Sequence, residues 1–462
     1  MRALLTSRQP LRRFALLLAL VLAGCAPAAP RRNLILISID TLRADRLGCY
    51  GYSRPTTPFL DAQARQGVLF RDANAVSSWT FPSHAAMFTG LYPGRSGATE
   101  LKRPIRPEVP ALAEWLAARG YETGAVVSST LFKGYGLERG FETLALVDPG
   151  GPEPSRVTAE SLAWLKARAG EQAHPFFFLI HYLDPHSDYS SLPEFETLFR
   201  EPYEGKADGT SEQLFRHVSG SLHYSAADAR HLSNLYDAGV RQQDAELAQL
   251  FAYLDSAGFL ANSVVVLTSD HGEEFLEHGG VMHGLQQYEE SVRIPLLFFG
   301  PDVPAGVEVV EPVSQVDLVP TVLELLGLEA PGELDGISLV PLWRAPTAAR
   351  PARALLIEGD RDPPGPTASV MITGDDLALR RGNWKLFFDP TRNAQRLYDL
   401  ATDPREERDV AGEHPELVRE LADELARLLA RRVEGGAAAP LDAHDLELLR
   451  MLGYAGDEPE GR

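Results

Sequence analysis

Short apolar runs alternate with longer amphipathic stretches along most of the 462-residue chain. Residues 33–39 (Asn-Leu-Ile-Leu-Ile-Ser-Ile) and 176–182 (Phe-Phe-Phe-Leu-Ile-His-Tyr) hold few polar positions, and 263–268 is almost as apolar. Runs without polar alternation suit strands buried on both faces of a parallel sheet. Further strands are predicted at 123–128 and 294–299. The stretches between them read as helices: 57–65, with Pro58 at its start and Gly67 beyond its end; 110–118, stopped by Gly120; 155–169; most of 214–256; and 316–326. The alternation predicts an α/β fold with a mainly parallel central sheet and helices on both faces.

The pattern changes after 341–351, which is rich in Pro, Ala and Arg. Residues 369–373 and 377–388 then read as antiparallel strands, the latter turning at Gly382-Asn383. An amphipathic helix is expected over 415–432. The chain thus divides into a large unit at 33–340 and a small C-terminal α+β subdomain at 351–434. A flexible link at 435–440 leads to a terminal helix and acidic tail at 441–462. No internal repeat is visible.

Residues 1–24 read as an export signal. Arg2, Arg8, Arg12 and Arg13 precede an apolar segment at 14–24 that is too short to span a bilayer comfortably. It ends in Leu22-Ala23-Gly24-Cys25, which resembles a bacterial lipobox. The resemblance implies a lipid on Cys25, a tether at 25–32 and a protein anchored to the membrane of the bacterial envelope. Cys49, the only other cysteine, then has no partner for an internal disulfide. A formal net charge of −20 argues against nucleic acid as a partner. It leaves an anionic small-molecule, glycan or lipid ester open as substrate, because local charge in a cleft can oppose the global sign. No feature selects an oligomeric state.

Ligands of open α/β sheets lie outside the carboxyl ends of the strands. The strand at 33–39 runs into Asp40-Thr41. That at 176–182 runs through His181 into Asp184-Pro185-His186. That at 263–268 runs into Ser269-Asp270-His271-Gly272-Glu273. Three strand ends delivering carboxylates and imidazoles to one edge point to a divalent metal site. A mixed carboxylate, imidazole and hydroxyl set could hold Zn²⁺ or Mn²⁺, and an all-oxygen site would have favoured Ca²⁺ more clearly; Zn²⁺, Mn²⁺, Mg²⁺ and Ca²⁺ all stay open.

Residues 78–97 read Ser-Trp-Thr-Phe-Pro-Ser-His-Ala-Ala-Met-Phe-Thr-Gly-Leu-Tyr-Pro-Gly-Arg-Ser-Gly. Pro82 is expected at the first position of a short helix, with Thr80 at its cap. A hydroxyl there either caps the helix or, beside free N–H groups and the positive end of the helix dipole, serves as an alkoxide. The stretch resembles the signature of the sulfatase family, in the alkaline phosphatase superfamily: Cys/Ser-x-Pro-Ser-Arg followed by Thr-Gly-x-x-Pro-x-x-x-Gly. Pro82, Ser83, Thr89, Gly90, Pro93 and Gly97 stand in register. Thr80 replaces the residue oxidised to formylglycine, and His84 replaces the Arg. Arg396-Leu397-Tyr398-Asp399-Leu400, with Asp403-Pro404 and Glu406, resembles the stretch that ends sulfatase domains.

The resemblance implies that Asp40, Asp270, His271 and Thr80 hold one divalent ion, with Thr41 standing where many sulfatases have a second Asp. It implies that His181 and His186 contact the ester or its leaving oxygen. His283 falls where relatives carry a Lys that touches the transferred group, and His84 gives weaker electrostatic support than the Arg. His278 is expected to be supporting, Lys102 and Arg95 to be solvated surface charges, and Tyr236, Asp237 and Asp244 to be structural.

Thr80 rules out formylglycine, since oxidising its branched carbon gives a ketone. Its single hydroxyl also means that a modified Thr80 must be cleared by a nucleophile attacking sulfur or phosphorus. Relatives that use Thr directly act on phosphate groups. The expected function is therefore metal-dependent hydrolysis of sulfate or phosphate esters through a covalent Thr80 intermediate, phosphoesters being favoured. The alternatives are a phosphoglycerol- or phosphoethanolamine-type transferase of the envelope and a binding protein that has lost its chemistry.

Overall fold

The structure is a computed structural model that describes residues 31–99, 103–147, 155–170, 174–330, 332–346, 350–359, 377–390 and 392–433. The leader with Cys25, Lys102, the strand expected at 369–373, the link at 435–440 and the terminal helix and tail at 441–462 lie outside these residues.

The main sheet has nine strands: β1 (Asn33–Ile39), β2 (Val68–Asn74), β3 (Glu122–Val127), β4 (Thr143–Leu146), β5 (Phe176–Tyr182), β6 (Ser263–Ser269), β9 (Arg293–Phe299), β10 (Val307–Val309) and β11 (Val313–Ser314). Their order is β10-β2-β9-β6-β1-β5-β3-β4, with β11 also on β2. β9 runs antiparallel to β2 and β6, and the other pairs are parallel. A two-stranded hairpin, β7 (Glu274–Phe275) and β8 (Val281–Met282), projects beyond β6.

β1 lies between β5 and β6, and all seven of its residues are buried. Side chains alternate across a strand. Leu34 and Leu36 therefore join the core shared with Phe81, Ala85 and Phe88 of the Thr80–Thr89 helix. Ile35, Ile37 and Ile39 join the opposite core, with Leu232, Leu247, Leu250 and Leu254 of the long helix Ala226–Ser256. The apolar runs identified in the sequence thus occupy the middle of the sheet. β2 escapes the apolar-run reading because Arg71 and Asp72 interrupt it. Among the described residues no helix is long and apolar enough to cross a membrane.

A second, antiparallel sheet runs β12 (Ala354–Glu358), β13 (Leu377–Arg381), β14 (Trp384–Asp389) and β15 (Ala394–Asp399), with the helix Pro415–Leu429 packed beside it. The β13–β14 turn uses Gly382 at φ 60, a conformation glycine takes without strain. This small sheet is tied to the large unit by a buried charge cluster. Lys385 is fully buried and lies 2.9 Å from both Glu289 Oε1 and Glu406 Oε1. Arg380 pairs with Asp72 and donates to Asn74 Oδ1 at 3.0 Å. A buried cation with two carboxylate partners fixes register well, because any shift leaves an uncompensated charge.

Candidate active site

The strand register assembles the site. β1 and β6 pair through Ile39 and Ser269, so Asp40 and Asp270 leave the sheet side by side. β5 pairs with β1 through Ser38 and His181. With a period of two, Ser38, Asp40, His181 and Asp270 all belong to the face covered by the Thr80–Thr89 helix.

The turn after β1 is held from several directions. Thr41 has φ 54, a strained value for a β-branched residue. Its N–H donates to Asp270 Oδ1 at 3.1 Å, and its carbonyl accepts from the Tyr236 hydroxyl at 2.7 Å. The N–H of Leu42 donates to Ser269 Oγ at 3.0 Å. Gln315 donates its amide to the carbonyls of Ser269 (3.1 Å) and Asp270 (2.6 Å) and accepts from Val76 N–H. Sequence reasoning passed over Gln315, since nothing local marks a lone glutamine far along the chain. Tyr236, Asp237 and Asp244 are indeed supports. Asp237 accepts from Tyr52 and Arg54, and Asp244 accepts from the N–H groups of Phe59 and Leu60 at the start of the Pro58–Ala64 helix.

The Thr80 helix starts earlier than the sequence suggested. Trp79 is the cap and Thr80 the first helical residue, which places Pro82 third. Proline is tolerated there because the N–H groups of the first turn have no intrahelical partner to lose. All ten residues of this helix are buried. Thr80 Oγ1 lies 3.1 Å from His271 Nε2. Since His271 Nδ1 faces the carbonyl of Gly272 at 2.9 Å and must donate to it, Nε2 presents a lone pair to the hydroxyl.

His84 is occupied at both ring nitrogens. Nδ1 donates to the carbonyl of Thr80 at 2.9 Å, and Nε2 lies 2.9 Å from Ser38 Oγ. Burial pushes its pKa down to about 3, so the ring is neutral. It braces the first turn of the helix through the Thr80 carbonyl.

Charge in the site is lopsided. Asp40 and Asp270 are both buried. Burial, and next the Asp270 charge, push the Asp40 carboxyl well above the usual range. Burial also pushes Asp270 up, but the facing His271, His84 and His181 outweigh it and hold it at about 2. Burial lowers His271 and His181 to about 4, leaving neutral rings. Asp40 Oδ1, Asp270 Oδ2 and both His181 nitrogens have no hydrogen-bond partner among the described residues. Donor atoms of Asp40, Asp270 and His271 lie within 4.8 Å of one another, as do those of His84, His181 and Asp270. Two adjacent buried carboxylates with orphaned oxygens, beside neutral imidazoles, are a poor arrangement on their own and a good one around a divalent cation. The residues fit the ion that the sequence implied.

His186 and His283 continue the cluster. Their rings lie 4.9 Å apart, and His283 is 4.4 Å from His271. His186 Nδ1 donates to the carbonyl of Ser187 at 2.6 Å. His283 Nδ1 stands 3.0 Å from Glu273 Oε1, a contact the sequence reading did not assign. Burial pushes Glu273 up to about 7. His278 lies away from this group, against Glu290 and stacked on Tyr288. Arg95 is not a solvated charge as expected: it pairs at 2.7 Å with Asp335, whose side chain is buried, and so anchors the loop after the Thr80 helix.

A helix-borne hydroxyl set over carboxylates and imidazoles at the carboxyl edge of this sheet defines an ester hydrolase of the alkaline phosphatase superfamily. The sulfatase family model matches residues 32–328, and the model for the C-terminal region of N-sulphoglucosamine sulphohydrolase matches 277–432. The chain belongs to the sulfatase family, whose members hydrolyse sulfuric esters. It is 25% identical to arylsulfatase K of Xenopus laevis, over 87% of this chain and 83% of that protein. It is 24% identical to the Delta 4,5-hexuronate-2-O-sulfatase of Bacteroides thetaiotaomicron, over 96% of this chain and 98% of that one. Among solved structures, the phosphonate monoester hydrolase of Agrobacterium radiobacter superposes with a TM-score of 0.70 at 22% identity, covering 89% of this chain and 100% of that one. A protein solved with its substrate D-glucosamine-2-N,6-O-disulfate superposes at 0.72 with 21% identity, covering 87% and 98%.

Proposed function

We propose that the protein is a metal-dependent hydrolase of anionic esters that works through a covalent Thr80 intermediate. The observation that carries this reading is the Thr80 hydroxyl, in the first turn of its helix and 3.1 Å from His271 Nε2, beside the Asp40–Asp270 pair. Asp40, Asp270, His271 and Thr80 would hold the ion. A bound divalent cation lowers a hydroxyl pKa and neutralises charge developing on a transferred group.

The chain's own residues do the rest. Thr80 Oγ1 forms a bond to the sulfur or phosphorus of the ester while the bond from that atom to the alcohol oxygen breaks. The threonine proton passes to solvent water, and the departing oxygen takes up a proton relayed from solvent through His186 Nε2, so that the count of protons is unchanged. Water then attacks the same sulfur or phosphorus, restoring the Thr80 hydroxyl and releasing sulfate or the phosphorus acid. His283, oriented by Glu273, contacts the transferred group. Helix N–H groups near Thr80 favour its negative charge.

Sulfate esters are supported by the sulfatase relatives. Phosphate and phosphonate esters are supported by Thr80, which lacks the second hydroxyl by which a formylglycine hydrate expels sulfate, and by the phosphonate hydrolase likeness. A parallel panel of aryl sulfate, phosphate monoester, phosphodiester and phosphonate monoester, run with Zn²⁺, Mn²⁺, Mg²⁺ and Ca²⁺, tests the reading. Turnover of a phosphorus ester by protein whose Thr80 peptide has an unmodified mass is the expected result. No turnover in any lane would sink it and favour a binding protein.

We also propose an exported, lipid-anchored form. The lipobox predicts a mature N-terminus at Cys25 that carries acyl chains and a protein in the membrane fraction. Mass spectrometry of the mature protein showing another start and no lipid would refute this.

A further inference from the structure

His181 is the anomaly of the site. It is fully buried, yet neither ring nitrogen makes a hydrogen bond to any described residue. A histidine that merely fills a core normally donates from one nitrogen, since leaving a buried polar group unsatisfied is destabilising. Its ring neighbours are Phe132, with centroids 4.9 Å apart, and His84, at 5.1 Å. On the other side, Nε2 stands 3.4 Å from Asp40 Oδ2 without forming a hydrogen bond.

We infer that His181 is a further ligand of the ion held by Asp40, Asp270, His271 and Thr80, so that the centre contains two imidazoles and two carboxylates beside the hydroxyl. The inference rests on the proposal that these residues hold one ion. Three separations are of the size found between donors on one ion, and a His181 nitrogen also lies within 4.8 Å of an Asp270 oxygen. His181 Nε2 to Asp40 Oδ2 is 3.4 Å, His271 Nε2 to Asp270 Oδ2 is 3.4 Å, and His271 Nε2 to Asp40 Oδ1 is 3.8 Å. Neighbouring donors that share one zinc ion, each about 2.0–2.2 Å from it, stand roughly 3 Å or a little more apart. The sheet explains the arrangement: Asp40 follows the middle strand, with His181 on one neighbour and His271 beyond the other.

His84 is excluded as a ligand by its own hydrogen bonds, although it lies close to Asp270. Its Nδ1 proton is committed to the Thr80 carbonyl, and Nε2 lies against Ser38 Oγ. His181 has no such commitment. Two nitrogen donors select a borderline ion such as Zn²⁺ over Ca²⁺, which takes oxygen ligands.

The test uses the purified chain, stripped with a chelator and reloaded with Zn²⁺. Metal analysis should give one ion per chain, and X-ray absorption should show two imidazoles on zinc. His181→Ala should show one imidazole and bind Zn²⁺ more weakly by more than the roughly 10–100-fold that loss of a supporting contact costs. Because the wild-type spectrum counts imidazoles directly, a misfolded variant does not spare the inference. One imidazole in the wild type overturns it while leaving the metal centre intact. Two zinc ions per chain would overturn it in favour of a separate His84–His181–Asp270 position. No bound ion would overturn the metal reading itself.

Discussion

Thr80→Ala is expected to leave a folded protein whose turnover falls by several orders of magnitude, up to the roughly 10⁶-fold seen when a nucleophile is removed. The substitution deletes one hydroxyl and one methyl from a buried first turn and leaves the brace from the Thr80 carbonyl to His84 untouched. Alanine also favours the helix. Thr80→Ser keeps the attacking oxygen and should retain much of the activity. A formylglycine enzyme behaves differently, because it depends on maturation; here, expression without a formylglycine-generating enzyme should make no difference. His84→Ala should cost less than Thr80→Ala, since His84 touches the helix and not the reacting atoms. Steady-state kinetics of the three variants on a phosphodiester and an aryl sulfate, with melting curves alongside, provide the check. Wild-type rates in Thr80→Ala would remove Thr80 from the chemistry.

Asp40→Asn should lose bound metal and lower turnover by a similar factor, yet leave the metal-free protein at least as stable as the wild type. The N–H groups of Thr41 and His271 keep their acceptor, Asp270 Oδ1, at 3.1 and 2.9 Å. The strained turn is therefore kept. What disappears is the carboxyl that burial, and next the Asp270 charge, push well above the usual range. Without an ion, its ionised form opposes folding. With an ion, it is a ligand. Metal content and melting temperature, each measured with and without chelator, should thus move in opposite senses: metal stabilises the wild type and does little for Asp40→Asn. A metal-free variant that melts well below the metal-free wild type would contradict the charge argument.

The sequence by itself determined the sheet's centre and the residues that leave it. A strand buried on both faces must be apolar at every position, so 33–39, 176–182 and 263–268 announce themselves, and the polar residues just beyond them are exposed to the same reasoning. It also determined the chemistry open to Thr80, because a branched β-carbon is a covalent fact that no fold changes. Strands that mix charge with apolar positions were not legible. β2 carries Arg71 and Asp72 because the first pairs with Glu308 and the second with Arg380, both far away in sequence. The antiparallel sense of β9 is likewise set by its neighbours in the sheet and not by its own residues.

Only the tertiary structure decided how the site residues share their work. His84 and His181 look alike in the sequence, each a lone histidine in an apolar setting. Packing makes one a neutral brace with both nitrogens occupied and leaves the other with none, facing Asp40. Glu273 and Gln315 enter only through contacts with residues 10 to 239 positions away, to His283 and Val76. Hydrogen bonds and charge pairs depend on distances of a few ångströms, and a linear pattern records which groups exist without recording which of them meet.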